Sequence, residues 1–321
     1  MSTAQAIVQV WKELQQRFPN LPNVIFRAGI WKPRTSPNTF QGVGRVGLAW
    51  LESVRNTWGL DTAIEVATPE QVQEALHAQI PYLWIGARTA ANPIAVQAIA
   101  DSIITTPDKT QLKGLFVKNP ICDDVRLWVG NIQRLQQTGT EVIAIHRGCN
   151  HQPCWEMAYQ LRQLCPQVHL LIDPSHMSGK AEVVPSLCQQ ANKLGYNGWM
   201  VETHLCPQQA LSDAAQQIVP SELTRLIADN TEPQTVNDLT WLRKIMDETD
   251  NALWNTIAKR MQISQQIGEW KKQHHVPIVQ PERYNDILSK RKQWGQSHHI
   301  SDTAIEQIIE AIHTESVKQQ A

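Results

Sequence analysis

From residue 24 to about residue 205, short apolar runs alternate with amphipathic stretches. VIFRAGI (24–30), AIEVA (63–67), YLWIGA (82–87), GLFVK (114–118), VIAIH (142–146), HLLID (169–173) and GWMVE (198–202) read as strands. Segments such as PEQVQEALHAQ, VRLWVGNIQRLQQTG and VVPSLCQQANKLG between them read as helices. Near-continuous apolar strands separated by helices predict parallel strands buried on both faces. The pattern suits a doubly wound sheet or a (β/α)8 barrel. Seven strands are legible where a closed barrel has eight. The chain opens in a helical pattern, AQAIVQVWKELQQRF, so a barrel here would lack its first strand.

After SELTRLIADN comes TEPQTVND, a polar stretch with a proline that reads as a linker. The periodicity then changes. Leu239, Leu242, Met246, Leu253, Ile257 and Met261 follow helical spacing, and only Gly268 interrupts from Leu239 to about Gln273. So long a helix in a small domain calls for a partner chain to pack on. Pro281 suits a first helical position, and a second helix is expected to stop at Gly295 after Trp294. A third starts near Ser301–Thr303, with Thr303 and Glu306 spaced as a capping box. The expected division is an α/β part over 1–228, a linker over 229–238 and an all-α three-helix part over 239–321.

Composition narrows the class. With 29 Lys+Arg against 30 Asp+Glu and 42% hydrophobic residues, the 321-residue chain is globular rather than disordered. A net charge of −1 argues against a nucleic-acid binder. No apolar run reaches the roughly 18 residues of a membrane span, and the N-terminus has no signal-peptide layout. Six cysteines at irregular spacings read as reduced thiols of a cytoplasmic protein.

The charges sit at chosen places. Lys32, Arg34, Arg88, Lys118 and Arg147 each fall at or just past a strand end. In parallel barrels the site lies at the C-terminal strand ends. Cations converging there call for anionic ligands, and guanidinium forks suit phosphate and carboxylate. At the next strand ends the residue type changes to His176, Glu202 and, shortly after, Asp213. Such a mixed N/O set suits a divalent transition metal, although spacing alone favours a hydrogen-bonded His with ordinary loop carboxylates.

FRAGIWKPRTSPNTFQGVG, IGAR, VKNP, HRG, IDPSHMSGK and MVETH…ALSDAAQ, in this order, resemble the barrel-only type of 3-deoxy-7-phosphoheptulonate (DAHP) synthase over residues 24 to about 220. The resemblance implies condensation of phosphoenolpyruvate with erythrose 4-phosphate, the first step of aromatic amino-acid synthesis. It implies that Arg88, Lys118 and Arg147 hold phosphoenolpyruvate, with Lys32 near its carboxylate. Arg34 and Thr35 would hold erythrose 4-phosphate. His176, Glu202 and Asp213 would bind a divalent metal (Mn, Fe, Zn or Co) that polarises the aldehyde. Relatives carry an N-terminal strand ending in Gly-Pro-Cys, whose cysteine is the fourth ligand. Here the sequence starts past that point, so an open seam and weaker metal binding are expected. Cys206 is not expected to substitute.

In the last part, Arg260 and Lys271 are three helical turns apart and share a face, while Arg243 points about 100° away and would serve a different site. Arg283 opens the second helix, and Ser316 and Gln320 stand at i, i+4 near the chain end. Read alone, these are charges on solvated helices. The order LRKIMDETDNALWNTIAKRMQISQQIGEWKK…VPIVQPER…ESVKQQ, however, resembles the all-helical chorismate mutase over 239–321. That implies an intertwined dimer converting chorismate to prephenate without a cofactor. Arg260 and the partner chain's Arg243 would hold carboxylates, Lys271 and Gln320 would meet the ether oxygen, and Arg283 and Ser316 would complete the shell. Gln280 and Tyr284 stand where relatives often carry carboxylates. The fusion suggests feedback on the synthase by prephenate. Two other readings stay open: a working mutase on an inactive barrel scaffold, and a non-catalytic metabolite-binding regulator.

Overall fold

Seven parallel strands join edge to edge in chain order. They are β1 (Ile25–Ala28), β2 (Asp61–Glu65), β3 (Tyr82–Ile85), β4 (Gly114–Lys118), β5 (Glu141–His146), β6 (Leu170–Ile172) and β7 (Gly198–Trp199). The computed structural model describes residues 24–34, 36, 38–229 and 237–320, with Gln5, Val8, Gln9, Lys12 and Gln16. The expected opening helix and linker, and Thr35, fall largely or wholly outside these residues.

Helices return the chain between strands. They are α1 (Val46–Trp58), α2 (Pro69–His77), α3 (Ala87–Ala90), α4 (Pro93–Thr105), α5 (Val125–Gln136), α6 (Trp155–Leu164), α7 (Pro174–Ser178), α8 (Val184–Lys193) and α9 (Pro220–Ala228). Their starts are written locally. Thr68, Asn92, Asp124 and Asp173 each accept a backbone N–H of the first turn, and Pro follows three of these caps. Ile64, Leu83, Ile85, Leu115, Val117, Ala144 and Ile145 are wholly buried, as strands covered on both faces require.

All seven expected strands form, but β7 is shorter than the apolar run 198–202. Met200 N still bonds Ile172 O, whereas Glu202 N turns to Ser175 Oγ. A side chain thus takes the backbone donor that would have extended the ladder. Among the described residues β1 pairs only with β2 and β7 only with β6, so the curved sheet is open between them.

The chain divides into two compact units, Met1–Ile245 and Met246–Ala321. The last part contains α10 (Asp238–Gln273), α11 (Pro281–Ser297) and α12 (Asp302–Gln320). Two expectations are corrected. Gly295 does not end α11, which runs on to Ser297; the Gly295 carbonyl then takes the N–H groups of both His298 and Ile300. The α12 cap is Ser301, whose Oγ accepts Ala304 N at 3.3 Å, while Glu306 is drawn away to Lys292. No helix of the described residues is long and apolar enough to cross a membrane.

Candidate active sites

The residues that follow the strands meet at the carboxyl edge of the sheet. His176 leaves β6 on α7, capped by Asp173, whose Oδ1 accepts His176 N at 3.1 Å. The same carboxylate holds the imidazole, with His176 Nδ1 2.9 Å from Asp173 Oδ2. Nε2 is thereby turned toward Glu202 Oε1, 3.9 Å away. One donor atom each of His176, Glu202 and Asp213 lie within 4.8 Å of one another. Ligands about 2.1 Å from one tetrahedral ion lie about 3.4 Å from each other, so the three donors would draw in by about an ångström to share one. A carboxylate behind a ligating imidazole is the usual outer partner of a metal site. The donor set therefore fits a divalent metal. Cys206 stands outside it, its thiol facing Gln208.

Cations surround these ligands. Arg27 Nη2 donates to Glu202 Oε1 at 2.7 Å and stacks over Trp84, 4.8 Å from its ring centre. Arg34 grips both oxygens of Asp213 at 3.2 and 3.0 Å, and Lys32 reaches Asp213 Oδ2 at 3.2 Å and Ser212 Oγ at 2.5 Å. Burial alone would raise Asp213, but Arg34 and Lys32 hold it well below the usual carboxylate range. Asp213 adopts the left-handed conformation, φ 57°, a strain of the kind that collects at functional positions. Glu202 is held below its ordinary value by His176 and Arg27 despite its burial, and Gln216 donates to its other oxygen at 2.7 Å.

Deeper in the site, Lys118 donates to Asp173 Oδ2 at 2.6 Å. Burial pushes its ammonium down, with Asp173 pulling the other way. Arg147 N is fixed by Asn119 Oδ1 at 2.7 Å, and Asn119 Nδ2 donates to Gly148 O at 3.0 Å. Burial and the charge of Arg88 push the Arg147 guanidinium down. The like charge of Arg88 beside Arg147 makes this a candidate place for an anion. Glu65, at the end of β2, is pushed up by burial against the pull of Lys118 and Arg27. Gly86 makes room for it, because a Cβ there would collide with Glu65 Oε1.

So the structure brings together Lys32, Arg34, Lys118, Arg147, His176, Glu202 and Asp213, with exposed Arg88 close to Arg147. Sequence reasoning missed Arg27, Glu65, Asn119, Asp173 and Gln216. Arg27, Asn119 and Asp173 stand inside the motifs FRAGI, VKNP and DPSH, and a charged or amide residue at a buried strand end was the signal available.

In the second unit, α10 and α12 build another polar cluster. Lys271 Nζ donates to Gln320 Oε1 at 3.0 Å and to Ile278 O at 2.7 Å, and it is only 8% exposed. Gly268 permits this approach, since a Cβ there would lie 2.6 Å from Gln320 Cα. Arg260 bonds Ser316 Oγ, which also lies 3.2 Å from Ser264 Oγ. Burial pushes the Arg260 guanidinium down. Ser264 was not foreseen. Arg283 faces outward onto Asp286 at 3.0 Å, and Arg243 is exposed on the stretch of α10 that belongs to the first unit. Tyr284 packs on His313, ring centres 4.6 Å apart.

A parallel α/β sheet with an acid–imidazole cluster and cations at its carboxyl edge defines a barrel-type α/β protein with a candidate site at that edge. The chain belongs to the DAHP synthetase I family, matched over residues 1–237, and residues 242–321 match chorismate mutase type II. Phospho-2-dehydro-3-deoxyheptonate aldolase of Thermotoga maritima is 27% identical over 202 residues, covering 60% of this chain and 56% of that relative. The chain thus spans little more than half that relative's length. A 4-amino-4-deoxychorismate mutase of Streptomyces pristinaespiralis is 30% identical over 89 residues, 27% of this chain and 69% of the relative. The crystal structure of the T. maritima DAHP synthase shares the fold, with TM-score 0.59 and 22% identity over 73% of this chain and 66% of that one.

Proposed function

We propose that the chain is a bifunctional enzyme of aromatic amino-acid synthesis, a barrel-type DAHP synthase over 1–228 joined by a linker (229–238) to a chorismate mutase over 239–321. The observation that carries the first activity is the approach of His176, Glu202 and Asp213 to within 4.8 Å beside buried Lys118 and half-buried Arg147. In this reading Lys118, Arg147 and Arg88 bind phosphoenolpyruvate, with Lys32 at its carboxylate. Arg34 and Thr35 take the phosphate of erythrose 4-phosphate. His176, Glu202 and Asp213 hold a divalent metal of the Mn, Fe, Zn or Co kind. When bound, that metal supplies a Lewis acid for the aldehyde. Holding two anions in reach of each other can supply about 7–11 kcal/mol of the barrier.

For the mutase, fixed donors do the work electrostatically. Arg260 and, from a second copy, Arg243 hold the carboxylates, Lys271 and Gln320 meet the ether oxygen, and Arg283 and Ser316 complete the shell. Leu239, Leu242, Met246 and Leu253 are each half-exposed or more along α10, an apolar stripe that a second copy would cover. We place this homodimer in the cytoplasm, with prephenate as a feedback ligand.

A second reading, a working mutase on an inactive barrel, draws support from one contact set. Asp213 is gripped by both Arg34 and Lys32, so a metal must displace two cations to reach it. Chelator-sensitive phosphate release from the two substrates supports the first reading. Chorismate consumption without that release supports the second.

A further inference from the structure

Beyond the synthase site sits a closed aromatic box whose lid comes from outside the α/β part. Trp241, three residues past the start of α10, is 1% exposed. Its ring lies 5.8 Å from Tyr196, 6.1 Å from Tyr159 and 6.4 Å from Trp155. Arg162 covers it at 5.8 Å and ties down the Tyr196 loop by donating to Gly195 O at 2.9 Å. All of these residues belong to the first unit. Trp241 itself lies beyond β7 and α9 in the chain, on the far side of the linker. A residue from past the linker therefore completes the interior of the sheet-and-helix part.

The far wall of the box is His146, the residue immediately before Arg147. Tyr196 Oη and His146 Nδ1 are hydrogen-bonded at 2.8 Å. The imidazole is wholly buried among Trp128, Trp155 and Tyr196, with ring centres 6.2, 5.9 and 6.2 Å away. His146 O accepts Asp173 N at 2.8 Å, which joins the same turn to the carboxylate behind Lys118 and His176. Side chains in a close-packed interior transmit a displacement rather than absorb it. A gap at Trp241 would loosen Tyr196 and Trp155, then His146, then the Arg147 backbone.

We propose that Trp241 is a positioning residue for the Arg147 anion site, because it seats the Tyr196–His146 pair on which that strand end rests. The inference rests on the proposed phosphoenolpyruvate site. It assigns Trp241 no contact with substrate.

The test uses the full chain and its Trp241→Ala, Trp241→Phe and Tyr196→Phe variants. Trp241→Ala should raise the KM for phosphoenolpyruvate by about tenfold, leave that for erythrose 4-phosphate within about twofold, and be restored by Trp241→Phe. Hydrogen exchange over residues 144–150 should quicken in Trp241→Ala by about tenfold. Tyr196→Phe, which removes one hydroxyl, should shift the same KM in the same direction. Equal movement of both KM values, or no change in exchange over 144–150, overturns the proposal. Should Trp241→Ala fail to fold, an unchanged KM in Tyr196→Phe overturns it. If the wild-type chain turns over no phosphoenolpyruvate, the synthase reading fails separately, and hydrogen exchange in the variants still decides the role of Trp241.

Discussion

Lys118 Nζ meets Asp173 Oδ2 at 2.6 Å, the ammonium 6% exposed and the carboxylate wholly buried. The same carboxylate orients His176, so one acid supports both the proposed anion-binding cation and the proposed metal ligand. Breaking a buried pair by removing one charge leaves the other uncompensated. Asp173→Asn, which keeps the shape, should weaken metal binding by about 10–100-fold, as loss of an outer partner does. Calorimetric titration with manganese checks this, and unchanged affinity would separate Asp173 from the metal site.

Gly86 leaves the space that the Glu65 carboxyl fills. Gly86→Ala should destabilise the protein by about 1–3 kcal/mol, the usual cost of overpacking an interior. Urea unfolding of the variant measures the loss. A stability equal to wild type would mean that Glu65 is free to move aside.

The mutase cluster predicts an effect confined to one activity. Removing a donor aimed at developing charge costs about 10²–10³ in turnover. Lys271→Ala should show that loss in chorismate turnover, and Arg260→Ala, which removes a carboxylate contact, should lower kcat/KM for chorismate, while phosphate release from phosphoenolpyruvate stays at the wild-type level in both. A near-normal kcat/KM for chorismate in either variant would remove that residue from the assignment.

His146 gives a pH signature. Burial, with Arg147 adding to it, pushes the imidazole from 6.5 to about 3. Between those values the unfolded chain binds a proton that the folded chain refuses. Stability is therefore fully present above pH 6.5 and falls as pH drops toward 3, by at most about 1.4 kcal/mol per unit from this group. Between about pH 6.5 and about pH 5 the depressed carboxylates Asp173, Glu202 and Asp213 stay ionised and contribute no slope. Unfolding midpoints of the wild type and of His146→Gln in that interval should diverge as pH falls, the wild type losing more. Parallel profiles would contradict the neutral, buried imidazole.

Where the chemistry is local, the sequence is readable. Strand runs such as GLFVK are apolar because both faces are covered, so the runs themselves mark where the strands lie. The same holds for cations at strand ends and for Arg260, Lys271, Ser316 and Gln320, whose shared faces follow from helical spacing. What escapes depends on distant partners. Asn119 meets Arg147 across 28 residues, Arg27 meets Glu202 across 175, and Asp173 meets Lys118 across 55. No short window of sequence holds both members of any of these pairs. Glu65 escapes because its raised carboxyl comes from burial that only the assembled sheet creates. Gly295 and Thr303 are misplaced for a smaller reason: both ends of that turn are set by backbone bonds to Gly295 O and by Ser301, choices that composition leaves open.

His176, Glu202 and Asp213 are proposed to form a working metal site beside the substrate cations. Phosphate release from phosphoenolpyruvate plus erythrose 4-phosphate, with manganese and with excess chelator, tests it most directly. Release that chelator abolishes and that His176→Ala lacks is the expected result. No release with manganese from a chain that still consumes chorismate would contradict it.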